Sequence, residues 1–375
     1  MKFCSLSIFS GVLIVLAVGV FGLNRWGGGS SSEVRTGKSV MGTADVSQAT
    51  KIQIQSHEGM VTLVQMADDQ WTVLEQNGFS ASPQKIKALL VKLNTEKIAH
   101  LTTDKKEKLA ELNVLTAEEN GGKWEKGKTG YRIRFLDAQD KSLFDMVIGR
   151  DRGGERNVGF GGTYIRFVGE EITYLIKDTV LVDYRPEDWI DKEIFDEVAD
   201  KVLKSIRIRK PGKKEMVFSR EKPEAKWTLA GMPPERLKQT EIKSLANLIG
   251  GMDLSKIAPA DKPAAELGRK RMGQVNFEFF DQRKFTLEIG DRKAKDDYRY
   301  FTIKANLDPS VSDQKLKARV TAFNERFQNQ IIGIYDWDGS KLLQERKEFL
   351  AEQKEAKKTG DKNNAAKSGA AKKKS

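Results

Sequence analysis

The feature that most constrains this chain is an internal repeat. The segment from Lys51 to about Asp200 and the segment from Lys201 to about Leu343 carry one pattern twice. Ile52 and Ile54 return as Ile206 and Ile208, and Trp71-Thr72 returns as Trp227-Thr228. Ile86, Leu89 and Leu93 return as Ile242, Leu245 and Ile249 at unchanged spacing. Ala110-Glu111-Leu112-Asn113 matches Ala265-Glu266-Leu267-Gly268, Ile148-Gly149 matches Ile289-Gly290, and Tyr164-Ile165 matches Tyr300-Phe301. A repeat this long points to two similar modules side by side, which is an architecture and not an activity.

Period-2 stretches open each half. Lys51 to Gln55, Met60 to Val64 and Gln70 to Leu74 read as a three-stranded antiparallel meander, repeated by Ser205 to Arg209, Glu215 to Phe218 and Lys226 to Leu229. A helix follows, with Ser82-Pro83 as its start and Ile86, Leu89, Leu90 and Leu93 on one face. In the second half Thr240 is the expected cap. Further strands are expected over Tyr131 to Leu136, Leu143 to Ile148 and Tyr164 to Val168. Val275 to Phe280, Lys284 to Ile289 and Tyr298 to Ile303 match them. Helical spacing of Leu316, Val320, Phe323 and Phe327 predicts one more helix, and Ser340 to Lys354 a last charged one. The expected class is α+β, two tandem modules of mainly antiparallel sheet with packed helices. The expected divisions are an anchor over 1–24, a linker over 25–50, modules over 51–200 and 201–343, and a charged helix end with tail over 344–375.

Phe3 to Leu23 is apolar and uncharged for 21 residues, long enough to cross a bilayer. A signal peptide cleaved near Ala17-Val18-Gly19 and a buried core helix are the competing readings. The length favours an anchor, and the run Gly27 to Ser32 behind it reads as a tether. A very short region before an anchor stays inside, which places the body on the periplasmic side of a bacterial inner membrane as a single-pass protein. The only cysteine, Cys4, lies in this leader, so no disulfide is available within the chain. Half of the net charge of +12 sits in the last segment, where Lys354 to Ser375 holds eight lysines against Glu355 and Asp361. Such a tail suits contact with anionic lipid, envelope polymer or nucleic acid, and equally suits plain solvation.

Gly122 to Thr129 satisfies the phosphate-loop pattern G-x-x-x-x-G-K-T. That loop needs a buried strand before it and a helix after it, whereas Tyr131 to Phe135 alternates like a strand. The offset between copies is 155 at Ala110/Ala265 and 141 at Gly149/Gly290, so the match falls within about 14 residues peculiar to the first copy. We read it as a surface loop between strands, with Val180 to Asp183 no better as a magnesium strand. Gly153 to Gly162 reads as a hairpin loop. Asp336-Trp337-Asp338-Gly339 fails calcium-loop spacing, and helix capping by Asp338 or Ser340 is expected instead. His57 and His100 are the only histidines, in a turn and after a helix, without metal spacing. Trp71 and Trp227 read as core. Arg132-Ile133-Arg134 and Ile206-Arg207-Ile208-Arg209 place arginines on outward polar faces. No catalytic, cofactor-binding or metal-ligating residue is nominated.

Taken together, the anchor, the paired openings with Trp71 and Trp227, the Ala-Glu-Leu-Asn/Gly elements, the Ile-Gly strand ends and the junction Tyr184 to Lys192 resemble a bacterial family of unknown function, DUF4340. The resemblance covers roughly Lys51 to Leu343. It implies an envelope location and a role beside ABC transporter subunits, because its members are often encoded next to gliding-motility-type transporter components. The expected function is a non-enzymatic interaction protein accessory to such a transporter. The alternatives are a polymer- or nucleic-acid-binding module led by the tail, and an enzyme with a cleft between the modules.

Overall fold

The computed structural model describes residues 35–351, apart from 68, 154–160, 179, 181, 196–201, 271 and 294–295. Residues 1–34 and 352–375, which carry the expected anchor, the first ten residues of the expected linker and the basic tail, lie outside the described residues. Among the described residues no helix is long and apolar enough to cross a membrane.

The protein is mixed α/β, with two antiparallel sheets and few helices. The first sheet is built from β1 (Lys51–Ser56), β2 (Gly59–Gln65), β3 (Trp71–Val73), β4 (Phe79–Ser80), β5 (Ile98–Thr103), β6 (Tyr131–Leu136), β7 (Ser142–Asp151), β8 (Thr163–Phe167) and β9 (Thr173–Ile176). Its spatial order is β4-β3-β2-β1-β6-β7-β8-β9-β5. The second holds β10 (Leu203–Arg209), β11 (Met216–Ser219), β12 (Thr228–Leu229), β13 (Lys256–Ile257), β14 (Gly273–Phe279), β15 (Arg283–Ile289), β16 (Tyr298–Leu307) and β17 (Ile332–Tyr335). Its order is β12-β11-β10-β14-β15-β16-β17-β13. Apart from β4 the two orders run in parallel, strand for strand.

The register agrees at the level of single residues. Ile52 faces Leu63 and Phe135 across β1, as Ile206 faces Phe218 and Phe277 across β10. Ile148 pairs with Ile165 where Ile289 pairs with Phe301. Alternation drives this: Ile52, Ile54, Ile206 and Ile208 are all buried, while the residues between them point outward.

Helix α1 (Pro83–Thr95) starts where the sequence indicates. The Ser82 hydroxyl accepts from the Lys85 amide at 3.4 Å, Pro83 takes the first helical position, and Ile86, Leu89 and Leu93 are buried. Helix α2 (Gln239–Gly250) buries Ile242, Leu245 and Ile249, but its cap is Lys238 and not Thr240. The helix begins early because the Gln239 amide holds the Trp227 backbone at both ends, accepting from its N–H and donating to its carbonyl, each at 2.8 Å. Helix α3 (Gln314–Phe327) begins at an Asp313 cap.

Among the described residues, up to 351, the single helix expected over Ser340 to Lys354 does not form. A short helix α4 (Asp336–Leu342) comes first, then a 3-10 turn over Arg346–Phe349. Phe349 is fully buried with its ring 4.8 Å from that of Phe218, and Leu350 bridges to Leu237; docking of this apolar pair pulls the chain out of a helical path. Nor do Asp338 and Ser340 cap α4, since both lie inside it and the cap is Tyr335. The sequence reading also lacked β4, β5, β9, β13 and β17, which are short or break the alternation.

The junction stitches the two sheets together. Ser82 donates to the Trp189 carbonyl at 2.7 Å and Asp191 to the Ser80 carbonyl at 2.8 Å. Leu254 then donates to the Lys192 carbonyl at 2.9 Å. Phe195 enters the second core against Phe285, centroids 5.2 Å apart. The Arg326 guanidinium sits over Phe327 and Phe79 and donates to the Asp191 carbonyl at 2.7 Å, closing the seam.

Candidate functional site

Each sheet has one face on the core, and the two outer faces are treated differently. On the first sheet, the chain leaves the 3-10 turn Lys106–Lys108 and lays Leu109, Leu112 and Val114 on Val147. Asn113 adopts φ 58°, a left-handed conformation that asparagine tolerates, and the equivalent Gly268 adopts φ 74°. That turn brings its backbone against Gly149 in the first sheet and Gly290 in the second. A Cβ on Gly149 would lie 2.3 Å from the Leu112 carbonyl oxygen, and one on Gly290 would lie 2.9 Å from that of Gly268. This is the physical content of the repeated Asn/Gly and Ile-Gly positions.

Beyond Val114 the copies part. The first continues through residues 115–129, which hold the phosphate-loop match. A 3-10 turn at Glu118–Asn120 leads to exposed glycines and then to strand β6, so no helix follows Thr129. Lys128 is paired with Glu125 at 2.8 Å, and the Thr129 hydroxyl donates to the Glu125 carbonyl at 3.0 Å. The segment is a cover and not a phosphate cradle. Glu118 accepts two bonds from Arg132 at 2.9 and 3.0 Å, while Asp145 takes the other side of the same guanidinium at 2.8 and 2.9 Å. Glu119 pairs with Arg166, whose Nε donates to the Val114 carbonyl at 3.0 Å.

Arg132 does point to the outer polar face, as expected, but there that face is covered. Its side chain is 9% exposed because the insertion lies over it, whereas Arg207 and Arg209 are exposed as expected and share Glu215. Burial opposes ionisation of Glu118 and Glu119. Hydrogen bonds from the Thr116–Glu119 turn and the facing arginine charges outweigh it, holding both below the ordinary carboxylate range.

The second sheet carries no such cover among the described residues. Gln274, Asn276 and Thr286 occupy the places of Arg132, Arg134 and Asp145, and Thr302 that of Arg166. The chain enters β14 four residues after Arg269. Toward its far edge the face becomes aromatic. Tyr298 and Tyr335 are cross-strand partners with rings stacked at 5.1 Å, and the Lys256 ammonium lies 4.4 Å from the Tyr298 centroid. Gly333 permits this reach, since a Cβ there would lie 3.2 Å from both the Lys256 stem and the Tyr300 ring. Tyr335 remains 46% exposed and Trp337, at the start of α4, 60% exposed.

The first sheet shows that the scaffold does not require these aromatics. Gly162, Leu175 and Lys177 stand at the places of Tyr298, Gly333 and Tyr335. Sequence reading missed the surface because its members lie on three separate segments, and only the strand register joins them. Burial and the hydrogen bond with the Tyr335 hydroxyl push the pKa of Tyr298 up, in line with this packing.

The remaining singled-out residues do not converge. His57 lies in the β1–β2 turn, and His100 after helix α1, on β5. Trp227 is buried and Trp71 half-buried against the same core. Gly153 and Gly161 flank a connection between β7 and β8, which pair as a hairpin; residues 154–160 lie outside the described residues. Among the described residues no group of three or more histidine, cysteine or acidic side chains is arranged to hold a metal. Between the sheets a pocket of about 320 Å³ is lined by Glu75, Asn77, Ala258 and Asp261 among others. Glu75 is committed there to the Thr62 amide at 2.9 Å, and Asn77 to the Ala258 carbonyl at 2.9 Å. A second pocket of about 400 Å³ lies away from the seam, beside Lys222 and Phe280.

These features define a protein of two antiparallel sheets with matching strand order, joined by a bonded linker. The profile of the family described as domain of unknown function (DUF4340) matches residues 71–270, more than half of the 375 residues and parts of both sheets. The chain belongs to that family. No curated protein and no solved structure matches it.

Proposed function

We propose that this chain is a membrane-anchored interaction protein without catalytic activity, built from two tandem copies of one sheet unit and accessory to an ABC-type transport system. The supporting observation is the Tyr298–Tyr335–Trp337 surface, which is exposed and dispensable to the fold of the equivalent strands. Tyrosine, tryptophan and arginine dominate binding hot spots, and here Arg292 and Arg299 flank the aromatics through Asp336 at 3.5 and 2.6 Å. The anchor over 1–24 is supported by the uncharged apolar run Phe3 to Leu23, and the periplasmic placement of the body by the very short region before it. The transporter association follows from the family resemblance.

Gentle crosslinking of the full-length chain in its own membranes, followed by mass spectrometry, tests this reading. Transporter subunits should be enriched with the natural chain and lost with the Tyr335→Ala/Trp337→Ala double variant. Recovery of the chain alone from both preparations would refute it. Salt-sensitive retention of envelope polymer, lost on deleting Lys354 to Ser375, would favour the polymer-binding alternative.

A further inference from the structure

We infer that the outer face of the second sheet around Arg269 is a docking site for an acidic segment of a partner protein, seated where the first sheet seats its own residues 115–129. The inference deepens the interaction-protein reading and rests on it.

The first sheet supplies the template. Its acidic turn, Thr116 to Asn120, lies on the outer face, and Glu119 meets the Arg166 guanidinium there. In the second sheet Thr302 replaces Arg166, but a guanidinium still comes to the same place from another direction. Arg269 is the equivalent of Val114. Val114 Cγ1 would lie 2.6 Å from a Cβ on Gly149, and Arg269 Cγ would lie 3.2 Å from one on Gly290. The backbone agrees, with Val114 donating to the Leu109 carbonyl at 3.0 Å and Arg269 to the Ala264 carbonyl at 2.8 Å. From there Arg269 Nη2 reaches the Thr302 hydroxyl at 3.1 Å and Met272 Sδ at 3.3 Å.

What Arg269 lacks is the acid. Its Nη1 is buried and has no hydrogen-bond partner, and no ion pair to it occurs among the described residues. Glu288, from β15, attracts the charge without closing an ion pair. A half-buried guanidinium with an unmet donor gains from a carboxylate, because the donor otherwise forfeits its solvation without compensation. Gln274, Asn276 and Thr286 beside it offer neutral hydrogen-bonding groups where the first sheet holds the Arg132–Asp145 pair. They add no negative charge against an acidic visitor. Glu288 is the opposing charge that an acidic turn must approach to reach Arg269, and the insertion shows that this face of the fold accepts such a turn.

The test uses the full chain in detergent and a synthetic peptide with the sequence of residues 115–122, which has a net charge of −2. Nitrogen-15 relaxation-optimised spectra are recorded as peptide is added. Saturable shifts are expected at Arg269, Thr302 and Asn276, and Arg269→Met should weaken binding by about tenfold or more. A peptide with both glutamates replaced by glutamine should bind as weakly. Arg269→Lys, which keeps the charge and loses the fork, should fall between, and it serves if Arg269→Met does not fold. Arg269→Met is expected to melt no lower than the natural chain. The inference is overturned by binding indifferent to Arg269, by shifts confined to the first sheet, or by no saturable binding up to roughly 5 mM. Because the peptide probes the face directly, a failure here is distinct from a failure to capture transporter subunits.

Discussion

Arg166 and Arg269 deliver guanidinium groups to corresponding points on the two outer sheet faces, and only Arg166 meets a carboxylate there. The two copies share a scaffold and differ in what covers it. The insertion that first looks like a nucleotide motif turns out to be that cover.

Removing the acid from the covered face should cost stability. Glu119→Gln leaves Arg166, whose side chain is 2% exposed, without its counter-charge. Breaking a buried pair costs about 3–5 kcal/mol, and the partial exposure of Glu119 reduces this to about 1–3 kcal/mol. Urea unfolding monitored by tryptophan fluorescence would read the loss. An unchanged midpoint would show that the cover contributes nothing.

The same carboxylates make the cover sensitive to acid. Both Glu118 and Glu119 sit below their ordinary value of 4.5 in the folded chain. Their contribution to stability is therefore complete above about pH 4.5 and is lost as pH falls through the lowered folded values. Amide hydrogen exchange should show residues 114–129 losing protection on acidification before β14 and β15 do. Simultaneous loss in both sheets would contradict this.

A backbone prediction concerns Gly268. Its φ of 74° disfavours any side chain, and a Cβ would fall 2.0 Å from the Asp291 carbonyl oxygen. Gly268→Ala should destabilise by roughly 2 kcal/mol or more, while Asn113→Gly in the equivalent turn should cost less than about 1 kcal/mol. Thermal melts of the two variants would rank them, and the reverse order would refute the account.

The seam depends on Arg326. Burial pushes its guanidinium pKa down against the attraction of Asp191 and Glu193, while the Asp191 carboxylate lies 3.0 Å away. Arg326→Ala should cost about 2–4 kcal/mol, somewhat less than breaking a fully buried pair because both side chains are partly exposed. It should also separate the unfolding of the two sheets into two calorimetric transitions. A single transition at the natural temperature would show that the junction strand alone holds them.

Deleting residues 1–24 tests the address. The shortened chain should leave the membrane pellet and appear in the alkaline-extractable fraction, while the full chain stays behind. Retention of the deleted form would move the anchor elsewhere.

Much of the core was legible because its signals are periodic. Alternation at Ile52 and Ile54 and the helical spacing of Ile86, Leu89 and Leu93 act over a few residues, and both copies repeat them. The strands β9 and β17 were not legible. In β9 all four residues are buried, so no alternation marks it, and β17 begins with three buried residues. Thr240 misled as a cap because Gln239 finds its partners on Trp227, twelve residues earlier in the chain.

By itself the sequence determined the repeat, its register and the class of structure, since local periodicity and the Asn/Gly and Ile-Gly positions are imposed by backbone sterics. Only the tertiary structure decided that Arg132 is buried, that residues 115–129 are a cover, and that Lys256, Tyr298 and Tyr335 form one surface. Those outcomes depend on contacts between segments far apart in the chain, and strand pairing creates them only once both sheets have closed.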